Sequence, residues 1–592
     1  MYSKKVELWL YLFYYCVNKT NRYNGRVVYI YAPDAIFVAV QECDATKASL
    51  KVFAGYILQY TIRLKLKTSG DNVSVRNQLI TAFCILITCI SLASCKQYQK
   101  NRSHQHVSDE SIEAGEKLAA IYCQSCHALP DPKDLDAKSW ESGVLPMMGP
   151  RLGIFEHNYK TYPSYKHDKD IGAAFYPARA VLTSTQWQNI VDYYTSLAPD
   201  SLHASANDRP IEKQLPLFQA LNPQTTNDSA RICFVGIDTS RQNHTLLIND
   251  VNNRSVTRYN NRLQAVDSIY AQWPVVDVDQ LNDSAIACNI GIMIPNNGTT
   301  GTANKIRLGK EQRMEYDTSV MFGGLRRPVQ ITAVDFNNDG KQDYLVCEYG
   351  NLKGMLSWFE NKGSNVYDKH VIREVPGAIK AFIQDDNNDG LQDIFVLFAQ
   401  GDESIFLYTN KGKGSFEEKR LLRFIPSFGS TSFDLADINK DGFNDIVYTC
   451  GDNADFSPVL KPYHGLYIYL NDGKNNFTQQ FFFHINGCFK AIARDFDKDG
   501  DIDIATISFF ADYINRPEEG FVYFENKGSL NFSASTIPAT QSGRWLTMDA
   551  GDLDGDGRLD IVLGNFSAPA MFKSARSFEK GPPFLLLKNV KK

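Results

Sequence analysis

From about residue 325 onward, short apolar runs alternate with acidic, glycine-bearing stretches. Residues 344–347, 394–397, 446–449, 504–507 and 561–563 are continuous apolar or β-branched runs, the pattern of strands buried on both faces. A further run follows each of the first four and ends in Asn-x-Gly, at Asn361, Asn410, Asn471 and Asn526. That tripeptide supplies the positive φ that a hairpin turn needs. Fainter copies precede residue 325: residues 232–235 with 245–248, and 274–279 with 285–288. The spacing predicts seven β units over residues 214–592. The last run, 584–589, ends three residues before the terminus and leaves no room for an outer strand. Closure therefore calls for a strand from about residues 215–221, which would also protect an open edge.

Upstream the period changes from two to helical. Ser108 is placed as an N-cap, with Asp109 and Glu110 in the first turn and Ile112, Leu118, Ala119 and Tyr122 spaced along one face. Residues 182–187 start a second helix running through Ile190, Val191, Tyr194 and Leu197 until Pro199 stops it. Gly115 allows close approach of another helix. Residues 201–213 are polar and unpatterned, a linker. The chain reads as multidomain: a small all-α domain over 108–200, then an all-β seven-bladed propeller.

Residues 76–95 combine a basic start, an apolar run of about 15 residues and small residues at the end. The run is shorter than the ~20 residues of a membrane-spanning helix. Its end, Leu92-Ala93-Ser94-Cys95, resembles the lipobox of bacterial lipoproteins. The resemblance implies a signal peptide cut before Cys95, lipidation of Cys95, residues 96–107 as a tether, and a membrane-anchored protein in the periplasm or at the cell surface. Residues 1–75 would then be a spurious N-terminal extension.

Composition narrows the function classes. Net charge is −5 with 22% charged residues, and no basic stripe suits nucleic acid. The 12 cysteines are scattered. Cys233, Cys288, Cys347, Cys450 and Cys488 lie in or beside apolar runs and read as small buried hydrophobes. His244, His464 and His484 have no paired spacing, and no catalytic triad order or phosphate loop is present.

One motif stands apart. Cys123-Gln124-Ser125-Cys126-His127 has the spacing of a c-type haem attachment site. Each thiol adds to one vinyl group, and His127 binds the iron. Delivered by one helix and followed by a terminal helix, it resembles the monohaem cytochromes c. The resemblance implies one covalent haem c and a sixth ligand from the intervening loop. Met148 in residues 145–150 is the leading candidate, with Met147, His157 and His167 as alternatives. Trp140 and Phe155 are candidate pocket walls.

Five nine-residue loops share oxygen donors at positions 1, 3, 5 and 9 and glycine at position 6. They are Asp335, Asn337, Asp339, Asp343; Asp385, Asn387, Asp389, Asp393; Asp437, Asn439, Asp441, Asp445; Asp495, Asp497, Asp499, Asp503; and Asp552, Asp554, Asp556, Asp560. Clustered carboxylates of this kind suit calcium, with its flexible oxygen coordination. No glutamate occupies position 12 and strands follow, so these are not EF-hands. With their strands, the loops resemble FG-GAP (VCBS-type) repeats, which implies a propeller with up to five bound calcium ions.

Three functions fit these parts. An exported electron-transfer protein would carry one haem and use its propeller to dock a redox partner protein. Alternatively, a periplasmic oxidoreductase would hold its substrate or a second cofactor in the propeller and use the haem as a relay. A pure binding module ranks third. No catalytic residue is assigned.

Overall fold

The computed structural model describes residues 27–32, 35–40, 98–202, 209–224, 229–239, 244–281, 284–308, 313–454, 459–567 and 578–591. The chain divides into two units, Met1–Tyr98 and Gln99–Lys592. Within the first, Val27–Ala32 and Ala35–Val40 pair as an antiparallel hairpin. The signal-peptide reading of 76–95 and Cys95 lies outside the described residues. Among the described residues, no helix is long and apolar enough to cross a membrane.

The second unit opens with a small helical segment. Helix α1 (Asp109–Tyr122) begins at Ser108, whose hydroxyl accepts from Ser111 N at 3.2 Å, with Asp109 and Glu110 beside the positive helix end. Helix α2 (Ser184–Leu197) begins with a reciprocal capping box between Thr183 and Gln186. The helices cross at Gly115, where a Cβ would stand 1.9 Å from Asn189 O. Ser111 Oγ ties the crossing to Asn189 and Asp192 of α2. Trp140 and Trp187 are almost completely buried in this segment's core.

A seven-bladed β-propeller follows. Seven four-stranded antiparallel sheets succeed one another along the chain. Their first strands, which contact one another around the ring, are Ile232–Asp238, Val275–Leu281, Pro328–Val334, Ala378–Gln384, Ser430–Ala436, Cys488–Arg494 and Trp545–Gly551. The two fainter sequence copies are thus full blades 1 and 2. Blade 7 is completed from the other end of the domain: Phe218–Leu221 pairs antiparallel with Phe584–Asn589. This junction gives the third strand of blade 7 its outer partner.

The propeller core is seven apolar clusters, one in each seam between adjacent blades. An eighth gathers Cys233, Phe509 and Phe566 with Val276, Phe489 and Leu546, spanning blades 1, 2, 6 and 7 at one end of the axis. Every first strand carries a bulge near its start, for example between Val275 and Asp277 and between Cys488 and Lys490. A bulge re-aims the residues that follow it. Several of these then fasten the next blade. Asp277 accepts from Ile331 N at 2.9 Å, Gln330 from Ala381 N at 2.7 Å, Asp434 from Ala493 N at 3.0 Å and Asp549 from Ile237 N at 2.8 Å. Lys490 donates to Met548 O at 2.8 Å.

Candidate functional site

The five acidic loops join the first and second strands of blades 3 to 7 and share one hydrogen-bond scheme. The position-1 carboxylate accepts the glycine N–H at position 6, at 2.8–3.1 Å in every loop. The position-5 carboxylate accepts the N–H two residues on, as Leu391 N does to Asp389 at 2.9 Å. Gly340, Gly390, Gly442, Gly500 and Gly557 all have positive φ, between 77° and 90°. Position 4 is left-handed too, at Asn338, Asn388, Lys440, Lys498 and Gly555, a constraint the sequence pattern did not reveal.

Position 9 has a second task. Asp343, Asp393, Asp445, Asp503 and Asp560 are at most 2% exposed. In each, one oxygen accepts from the backbone N–H of the asparagine ending the third strand, at 2.7–2.9 Å. The other takes a donor at the loop start or, for Asp503, the Tyr523 hydroxyl at 2.6 Å. The asparagine amide returns to the carbonyl just before the aspartate, at Gln342, Gln392, Asn444, Ile502 and Leu559. The aspartate is therefore a fold lock. Its remaining lone pairs can still face a cation.

In two loops three carboxylates converge. Asp495, Asp497 and Asp503 each bring one oxygen within 4.8 Å of the others, as do Asp552, Asp554 and Asp556. Asp495 Oδ1 is buried with no hydrogen-bond partner. Burial, with the neighbouring carboxylates adding to it, raises Asp503 to about 7 and Asp560 to about 6. A buried acceptor without a donor, among converging carboxylates, has the chemistry that could hold a hard divalent cation.

At the end of α1, Cys123 N donates to Ala119 O at 2.9 Å, so the helix carries straight into the C-x-x-C-H stretch. Cys123 is partly buried and Cys126 exposed, and both are free thiols. Burial pushes the Cys123 thiol up to about 11, Cys126 adds to this, and a hydrogen bond from Tyr194 opposes it. His127 Nδ1 lies 2.8 Å from Ala128 O. The carbonyl holds the Nδ1 proton and leaves Nε2 as the free lone pair. Burial lowers the His127 pKa, and Asp402 and Arg423 of blade 4 act on it in opposite senses.

Met147 and Met148 are both partly buried on the short helix Leu145–Met148. The open side of Gly149 is filled by the Tyr162 ring, 2.5 Å from where a Cβ would be. His157 is buried, with Nε2 2.8 Å from Gln188 Oε1, and His167 is exposed. Trp140 packs on Tyr194 at 4.4 Å and donates to Pro132 O. Phe155 lies edge-on to Tyr176 under the Lys166 ammonium.

The helical segment is fastened to the propeller by loops joining second to third strands, at the end of the blades opposite the acidic loops. Tyr463 of blade 5 donates to Asp134 O at 2.7 Å, and buried Asn297 of blade 2 donates to Asp168 Oδ2 at 2.8 Å. Elsewhere His244 meets Asp552 O, His484 Nδ1 meets His464 O, and buried His464 makes no hydrogen bond through its ring.

Comparison with known families bears on the repeats. Residues 385–448 and 495–563 match the FG-GAP-like repeat model. These two segments are FG-GAP-like repeats. They cover the acidic loops of blades 4 to 7 with their flanking strands. No curated protein matches the chain. Among solved structures, BBS1N in complex with ARL6DN is 10% identical, covering 63% of this chain and 96% of its own at a TM-score of 0.38. The N-terminal domain of Nup159 is 10% identical, covering 65% and 99% at 0.36. An ancestral GH74 enzyme is 10% identical, covering 62% and 51% at 0.37. At these scores the likenesses carry no functional information.

Proposed function

We propose that this is an exported, lipid-anchored electron-transfer protein. It carries one c-type haem on Cys123 and Cys126, and its calcium-braced FG-GAP-like propeller docks a redox partner. The observation that supports this most is at His127. One ring nitrogen is already held by the following carbonyl and the other is free, beside two unpaired thiols at a helix end. When bound, the haem supplies a one-electron couple.

The chain's own residues do the rest. The thiols fix the porphyrin edge. Ala128 O orients the imidazole. Trp140 and Tyr194 exclude water on the α2 side, and the α1–α2 crossing at Gly115 keeps the motif rigid. Met148 is the favoured sixth ligand, ahead of Met147 and His157, because His157 Nε2 is engaged by Gln188. Five loops, from Asp335, Asp385, Asp437, Asp495 and Asp552, hold calcium as braces of blades 3 to 7. Cys95 carries the lipid.

The oxidoreductase alternative has less support. Asp277, Asp434 and Asp549, the carboxylates such a site would recruit, each serve the backbone of the next blade.

The test is production with a c-type maturation system, followed by denaturation and pyridine haemochrome analysis. Colour should stay with the chain, and Cys123→Ala or Cys126→Ala should each remove one thioether link. A colourless chain would overturn the redox reading. Met148→Ala should convert six-coordinate iron to five-coordinate iron. If His157→Ala does so instead, the ligand is reassigned. N-terminal mass spectrometry of the native protein checks Cys95.

A further inference from the structure

The five loops are not electrostatically alike. Among the described residues, the blade 4 and blade 5 loops have no basic side chain within ion-pair distance of Asp385, Asp389, Asp393, Asp437, Asp441 or Asp445. The blade 3 loop pairs only with its own Lys341. The blade 6 and blade 7 loops are the two in which three carboxylates converge. Both are already met by ammonium groups from the third strand of blade 7 and the residues just after it. Lys591 Nζ lies 2.8 Å from Asp497 Oδ2, and Lys588 Nζ contacts Asp554 Oδ2.

Lys588 belongs to Phe584–Asn589, where it stands opposite Gln219 of the closing partner strand. Lys591 follows Val590, whose N–H donates to Leu217 O at 2.9 Å. Both lysines retain partial exposure, so their ammonium groups can be hydrated without unpacking the blade.

We propose that Lys588 and Lys591 are built-in counter-ions of the blade 7 and blade 6 loops, and that a divalent cation competes with the closing segment for Asp554 and Asp497. This rests on the cation reading above. Like charges cannot share one carboxylate set without cost, so cation entry drives the ammonium groups into solvent. Removing a lysine therefore tightens cation binding at its loop, while the blade 4 loop, which has no basic partner, is unaffected. Cation occupancy in turn frees residues 590 and 591.

The experiment is calorimetric titration of the full chain with calcium chloride, comparing wild type with Lys588→Met, Lys591→Met and the double variant. An exposed ion pair is worth little, so each single variant should tighten its own site by roughly two- to fivefold. Asp497→Asn and Asp554→Asn assign which site moved. Hydrogen exchange gives a second readout: the Val590 and Lys591 amides should exchange faster with calcium present. Unchanged affinities in the lysine variants, with normal calcium binding in wild type, would overturn the competition and leave the cation reading standing. No binding in any form would overturn both. A variant that fails to fold is replaced by Lys591→Gln, and the hydrogen-exchange comparison on wild type decides independently.

Discussion

At the residue scale, the position-9 aspartate decides how firmly a blade is made. Asp445 accepts from Ile438 N at 3.0 Å and Asn471 N at 2.9 Å and is fully buried. An amide in its place turns a donor toward one of those N–H groups. Asp445→Asn should therefore cost about 1–3 kcal/mol in denaturant unfolding without calcium. Asp277 gives a separate, pH-dependent effect. Burial, against the pull of Lys380, raises its carboxyl to about 6. A carboxyl whose folded pKa lies above its unfolded value favours the folded state most below the unfolded pKa. That contribution disappears as pH rises through about 6. Thermal melts should thus show stability falling between pH 4.5 and 7, and Asp277→Asn should flatten that slope. An unchanged slope would put the titration elsewhere. Neither role was legible beforehand. The asparagine that Asp445 grips lies 26 residues on, while in other blades the gap is 17, 18, 23 or 29, so no fixed spacing advertises the pair.

At the scale of the element, local pattern carried far. Ser108, the Thr183–Gln186 box and the glycine of each acidic loop stand where capping and turn chemistry require them, because such signals act within a few residues. Gly115 was legible as a site of close approach, and its partner Asn189 was not. A methyl group at Gly115 would meet a helix backbone that cannot yield like a side-chain tip. Gly115→Ala should destabilise the helical segment by about 1–3 kcal/mol, read from its own unfolding step by far-ultraviolet circular dichroism. Melting of the propeller strands should not move. The bulges of the first strands had no signal at all. Cys233, Val276 and Thr431 share no chemistry, and the bulge is imposed by packing seven strands around one axis.

At the scale of the whole molecule, the ring was countable because its acidic loops recur. Blades 1 and 2, which lack the full loop, were found from apolar runs and, for blade 2, from the spacing of a partial copy at residues 274–279. What remained out of reach was every contact between distant segments, such as Asp549 with Ile237 and Tyr463 with Asp134. The closing strand lends itself to a direct test. Deleting residues 214–224 should leave Phe584–Asn589 with an unpaired edge and shift the protein toward dimers or larger species in size-exclusion chromatography. Elution as a monomer with an unchanged melt would show that the seam contributes little.

Joining the last blade from both ends also sets an order of events. More than 360 residues separate Phe218–Leu221 from Phe584–Asn589, so the early strand stays unmatched until the later one is available. The ring can shut only when residues 584–589 meet residues 218–221. A chain that lacks residues 584–589 keeps the strands of six blades but cannot complete the seventh. Such a fragment would present two raw edges to proteases, so the joint between these two distant segments is itself a test of whether both are present.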